Sequence, residues 1–251
     1  LGDVYKRQVF STANRNNAEV IFTLHFADGE ATNWGGMFLY QEAVFIGQVY
    51  DRDDNKIETD TLNLKGTGGV FRHEYTEDFW KSYSDKDTRR DATFLEYYTQ
   101  KNKEGFGCVM LKAIGSINSN NNRIYDTDVI VYRYADVLTL MAEALARSNN
   151  AVTQEAVDRL NDVHTRAGLT AYQLSDFTSL DDFLGAVLKE RGHELWGEGC
   201  RRSDLIRYGL YIDYAIKYKG STTAKEYMNL MPLPQLSLIH ISEPTRPEPI
   251  S

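Results

Sequence analysis

The sequence predicts a mainly α fold of paired antiparallel helices, joined to a loop-rich, partly extended insertion region. Three observations lead there. Beyond Asp128, apolar residues recur at the 3.6-residue helical period in three successive segments. The first two segments are separated by about four residues, which suits an antiparallel hairpin. Before Asp128 the chain instead holds short apolar runs parted by polar, glycine-dotted stretches.

Taken in order, 20–26 (VIFTLHF) is short and rich in β-branched and aromatic residues, the signature of a strand or buried extended segment. The loop 28–36 (DGEATNWGG) follows and leads into MFLYQEAVF, so that Trp34 is held beside a packed segment. Residues 51–69 show no usable period and form a long irregular connection. A short helix is expected over 76–83, capped by Thr76, with Phe79, Trp80 and Tyr83 on one side. The stretch 85–93 (DKDTRRDAT) then mixes opposite charges densely.

The first long helix, 133–148, places Tyr134, Val137, Leu138, Met141 and Leu145 on one face. Thr153 caps the second, whose inner stripe is Ala156, Val157, Leu160, Val163, His164 and Ala167, and Gly168 supplies its left-handed stop. The pair is about 35 residues long, the size of a tetratricopeptide unit. Ser179 and Asp182 open a third helix with Phe183, Leu184, Val187, Leu188 and Leu195 inside, ended by Gly199. Ser203 caps a shorter piece that runs to Gly209.

With 251 residues, 42% of them hydrophobic, the chain is long enough to bury a substantial core. Its net charge of −8 and lack of any basic block argue against nucleic acid as a partner. No run of apolar residues is long enough to span a bilayer, and no signal-peptide pattern opens the chain, although Leu1 is not a natural start. Cys108 and Cys200 lack metal-ligand spacing and are compatible with one disulfide or two buried thiols. All five prolines fall between Pro232 and Pro249. The segments 1–8 and 236–251 resemble translated sequencing-adapter read-through and are expected to be non-native scars. The expected organisation is thus a loop-rich, ligand-facing region over 9–127 and a helical region over 128–235, internal to something longer.

The densest charged constellation is 190–209, ERGHELWGEGCRRSDLIRYG. Glu190, Glu194 and Glu198 repeat every four residues, so their carboxylates are expected to stack along one helix face. Arg191, Arg201, Arg202 and Arg207 lie near enough to pair with them, and Asp204 belongs to the same cluster. Paired carboxylates also suit glycoside hydrolysis, but those flank a substrate from opposing walls, whereas three on one face beside arginines form a structural ion-pair network. His193–Glu194 begins a zinc-protease motif that Gly197 leaves incomplete. No nucleophile elbow, phosphate-binding loop or dinucleotide fingerprint occurs. The residues name no catalytic group, no metal and no cofactor.

One resemblance covers nearly all of 9–235. YRYADVLTLMAEAL, then LNDVHTRAGL, then LKERGHELWGEGCRRSDLIRYG is similar, in order and spacing, to the C-terminal helical block of the SusD/RagB family of outer-membrane nutrient-binding lipoproteins. EVIFTLHF, DKDTRRDATF and NNRIYDTDVIVYRYADV fit the family's middle region, and MPLPQ its Pro-rich finish. The resemblance implies a superhelical, tetratricopeptide-like scaffold. It also implies a lipid anchor absent from this stretch, exposure at the outer-membrane surface, and non-catalytic capture of oligosaccharides for a partner TonB-dependent transporter barrel. Sugars would then meet an aromatic platform, since the C–H face of a pyranose packs on a ring while its hydroxyls seek polar groups. The candidate is the loop with Asn33, Trp34, Phe38, Tyr40 and Gln41, whose rings are equally readable as core, while Trp80 and Trp196 are expected to be structural. Alternatives are a peptide- or protein-binding scaffold of the same family and, less favoured, a glycoside hydrolase.

Overall fold

The computed structural model describes residues 9–27, 29–30, 48–58, 77–112, 116–117, 123–124 and 126–230. The chain forms two compact units, Leu1–Cys200 and Arg201–Ser251, so the change of character near 128 falls inside the first.

In the first unit, β1 (Val20–Leu24) pairs antiparallel with β6 (Val129–Arg133), with an irregular register about Phe22. This strand pair joins the two stretches that sequence patterning separates. A hairpin not anticipated from the sequence is made by β2 (Phe94–Gln100) and β3 (Glu104–Met110). Asn102 and Lys103 turn it through the left-handed region. Gly107 is required there for space: a Cβ at that position would lie 2.1 Å from Tyr97 Cζ, because the tyrosine ring crosses its own cross-strand partner. A third pair, β4 (Ser116–Ile117) and β5 (Arg123–Ile124), is short.

Two small helices precede the hairpin. The first, α1 (Glu77–Lys81), is the expected one, although Thr76 lies outside the described residues. The second, α2 (Thr88–Thr93), comes from the charge-dense stretch and is capped by Asp87, which accepts from the Arg89 amide. Trp80 does not share a face with Phe79 and Tyr83. Phe79 and Tyr83 turn inward to Phe94 and His193, while Trp80 lies between the Arg90 and Arg52 guanidiniums at 4.7 and 5.6 Å.

The helical block is α3 (Tyr134–Ser148), α4 (Gln154–His164) and α5 (Leu180–Glu194), with α3 packed on both of the others. The paired-helix architecture follows the periodicity, and the Thr153 and Ser179 side chains accept the amides of Ala156 and Asp182 as caps. The inner face of α3 differs from the expected stripe. Ala135, Leu138, Thr139, Ala142, Glu143 and Ala146 are buried, whereas Tyr134, Val137 and Met141 face outward. The reason is packing: alanines fill the seam where two helices lie against α3, and the bulky residues are rotated away from it.

Gly168 closes a short 3-10 turn after α4 with φ +83°, and its Cβ position lies 3.2 Å from the Lys86 carbonyl oxygen. Nearby, the Thr88 hydroxyl donates to the Ala167 carbonyl at 3.1 Å. Gly168→Ala is therefore expected to lower stability by about 1–2 kcal/mol, read as a lower urea midpoint with an unchanged slope. α5 ends at Glu194 rather than at Gly199, because Gly197 and Gly199 take positive φ and the chain turns.

In the second unit, α6 (Arg201–Arg207) and α7 (Tyr211–Lys219) are joined through Gly209 and closed by Gly220, both left-handed.

Candidate functional site

The acidic residues of the 190–198 stretch enter a buried ion cluster whose cations come from other parts of the chain. Arg89, on α2, is 1% exposed. Its Nε and Nη2 grip both oxygens of Asp87 at 2.8 and 2.7 Å, and its Nη1 reaches Glu190 and, at 3.2 Å, Glu194. Arg133, at the junction of β6 and α3, donates to Glu19 at 2.6 Å, Glu194 at 2.9 Å and both oxygens of Glu198 at 2.6 and 2.8 Å. Arg166 bridges Glu19 and Glu194 at 2.8 and 2.9 Å. Lys112 donates to Glu198 and to the Glu194 and Trp196 carbonyls, and His164 Nδ1 lies 2.8 Å from Glu190.

These contacts set the charge states. Burial alone would raise the carboxyl pKa of Glu190, but hydrogen bonding to His164 and the Arg89 charge hold it below its ordinary value. Burial likewise opposes ionised Glu198, which Arg133 and Lys112 keep lowered. The Lys112 ammonium is itself lowered by burial despite Glu198 beside it. Glu190 and Glu198 are thus ionised, many-times-bonded struts, and Glu198 lies in the turn beyond α5 rather than on its face.

The arginines nearest in sequence are placed differently. Arg191 turns to α3, where it forms an ion pair with Asp136 at 2.8 Å and donates to the Thr139 hydroxyl at 2.8 Å. Within the second unit Arg201 lies over Tyr214 and Arg202 over Tyr211, and Arg202 also donates to the Met228 carbonyl. Arg207 pairs with buried Asp204 at 3.0 Å. Arg191 departs from the expected network because its position on α5 faces α3. The signal for Arg133 was present: it is a lone cation inside the apolar run VIVYRYADV. Arg89 sat among so many charges that nothing singled it out.

One arrangement has the composition of a nucleophilic triad. Ser82 Oγ lies 2.8 Å from His193 Nε2, and His193 Nδ1 lies 4.0 Å from Asp87 Oδ2. It does not work as a relay. Asp87 is already held by the Arg89 fork, 4.0 Å is beyond hydrogen bonding, and burial, with Arg89 nearby, pushes the imidazole down to about 4, too weak a base to activate a hydroxyl near neutral pH. Tyr83 stacks on this imidazole at 3.9 Å, and its hydroxyl donates to the His193 carbonyl, so the histidine is a packed core group.

Asn33, Trp34, Phe38, Tyr40 and Gln41 lie outside the described residues. Trp196 packs against Phe94 at 4.9 Å. Cys108 is a half-buried thiol that burial raises to about 12, and the Cys200 thiol donates to the Glu198 carbonyl at 3.8 Å.

Stacked helices with β-hairpin insertions, pinned by a cluster of mutually neutralising charges, define a tetratricopeptide-like helical scaffold. The chain belongs to the SusD family, whose model matches residues 4–240. It is 28% identical over 257 residues to SusD-like protein P25 of Formosa agariphila, covering 90% of this chain and 47% of that protein. It is 30% identical over 115 residues to the starch-binding protein SusD of Bacteroides thetaiotaomicron, covering 43% of this chain and 19% of that protein. Among solved structures, B. fragilis NanU aligns at 26% identity with a TM-score of 0.72, covering 94% of this chain and 51% of that one. The chain therefore spans about half the length of P25 and NanU.

Proposed function

We propose that this chain captures oligosaccharides at the outer-membrane surface without cleaving them and passes them to a TonB-dependent transporter barrel. The observation that carries the reading is family membership over 4–240, together with the alignment to a protein named for starch binding. The bonding of Glu190, Glu194 and Glu198 agrees with it, since carboxylates held by several cations are poorly suited to exchanging protons with a glycosidic oxygen. Tethering by a lipid anchor fits a chain whose described helices are none of them long and apolar enough to cross a membrane. No metal or cofactor is needed: capture rests on ring stacking and hydrogen bonding at a preformed surface.

The proposed contact surface is Asn33, Trp34, Phe38, Tyr40 and Gln41, with Trp34 as the stacking ring and Asn33 and Gln41 bonding hydroxyls. A glycan array followed by calorimetry tests it. Trp34→Ala should weaken the best-bound oligosaccharide about tenfold, the equivalent of roughly 1.4 kcal/mol. An affinity unchanged by that substitution removes the platform from the account.

A further inference from the structure

The ladder between β1 and β6 ends at Leu24 and Val129, yet Phe26, further along the chain, has both backbone polar groups held by side chains. Its N–H donates to Asp128 Oδ1 at 2.9 Å, and its carbonyl accepts from Arg15 Nη1. Asp128 is buried: the same Oδ1 accepts from Arg15 Nη1 at 2.7 Å, and His25 Nδ1 lies 2.9 Å from Oδ2. The guanidinium also donates to the Thr12 carbonyl at 3.1 Å and the Asp126 carbonyl at 2.8 Å, so it cannot swing away from Phe26 without breaking several bonds. Asp126 in turn accepts the Ser116 amide and hydroxyl at 3.0 and 2.7 Å, which ties the start of β4 to the same place. Further on, the Tyr50 amide and carbonyl bond the Tyr98 carbonyl and amide at 2.9 and 2.8 Å. The proposed sugar contacts at 33–41 thus lie, in sequence, between two backbone anchors. One is made by β2, the other by an ion pair.

We propose that Arg15 and Asp128 are positioning residues for oligosaccharide capture, setting the direction in which the chain leaves Phe26 towards Trp34. A strand exit ordinarily takes its direction from the sheet, but here the ladder has already stopped and charge-assisted bonds replace it. A ring that stacks on a pyranose has to be held within about 0.5 Å of its productive place, which demands support from residues behind it. Without such support the loop is ordered anew at every binding event, and the cost is taken from affinity. The role rests on the reading of Trp34 as the stacking ring and goes beyond it, since neither residue is itself assigned a sugar contact.

The test is calorimetry on the intact chain with the oligosaccharide best retained on the glycan array. Arg15→Met should weaken binding roughly fivefold. Asp128→Asn, which keeps an acceptor for the Phe26 amide but loses the ion pair, should weaken it less. Arg191→Met is the control for stability alone: it removes a buried ion pair between α5 and α3, so it should lower the urea midpoint and leave affinity unchanged. Because the pair acts through Trp34, adding Arg15→Met to Trp34→Ala should weaken binding no further. Unchanged affinity in Arg15→Met and Asp128→Asn, while Trp34→Ala does weaken binding, overturns the positioning role alone. So does an equal loss in Arg191→Met, or additive losses in the double variant. An inert Trp34→Ala overturns the stacking ring and the positioning role together. If circular dichroism shows Arg15→Met unfolded, Asp128→Asn carries the same comparisons.

Discussion

Arg133→Met should lower the free energy of unfolding by about 3–5 kcal/mol, the cost expected when one partner leaves a buried ion cluster. The size follows from what remains. Glu19, Glu194 and Glu198 are each within 2.9 Å of Arg133, and all three side chains are buried. Arg166 and Lys112 still neutralise part of that charge, but the Nε and Nη2 fork on Glu198 has no substitute. Methionine fills much of the same volume, so the loss reads as electrostatic rather than as a cavity. Pairing the change with Glu198→Gln should recover part of it, and urea titration of the singles and the double gives the coupling. Strict additivity would mean that Arg133 and Glu198 do not act together.

The second large effect is on acid stability. His193 is pushed from 6.5 down to about 4 by burial first and then by Arg89, with Glu190 and Asp87 acting against that shift and Lys189 with it. The neutral ring is the form that fits the fold, so the unfolded chain binds the proton more readily. The contribution is fully present above about 6.5 and is lost as pH falls from there towards about 4, amounting to roughly 3 kcal/mol. Glu190 and Glu198 have lowered values, so what they contribute is present above their ordinary carboxyl range and is lost as the pH drops further. Urea midpoints measured between pH 7.5 and 4 should therefore fall, and His193→Gln should flatten the upper part of the slope. A midpoint constant from pH 6.5 to 4.5 would show that the ring is not held neutral.

What was legible in the sequence was local. The period of α4, its Thr153 cap and its Gly168 stop all lie within a span of 16 residues, and each acts through neighbours along the chain. The hairpin β2–β3 was obscured because Gly105 and Gly107 interrupt its apolar alternation, and the reason for Gly107 is a ring on the partner strand. The outward stripe of α3 is apolar, so periodicity placed it inside, and only the alanine seam with α4 and α5 shows which side they occupy. The ion cluster was half legible. Its acids stand at regular spacing, but Arg133 meets Glu194 across 61 positions and Arg166 meets Glu19 across 147, and no local pattern reports such pairings. The proposed sugar loop rests on residue chemistry and family resemblance, because its residues lie outside those described.

The most direct test of binding without cleavage takes the oligosaccharide best retained on a glycan array. It measures its heat of binding and, in the same incubation, the appearance of new reducing ends. Saturable heat with no reducing ends, and the same outcome with Glu194→Gln in any variant that remains folded, is the predicted result. Steady release of reducing ends that disappears in a folded Glu194→Gln protein would contradict the account.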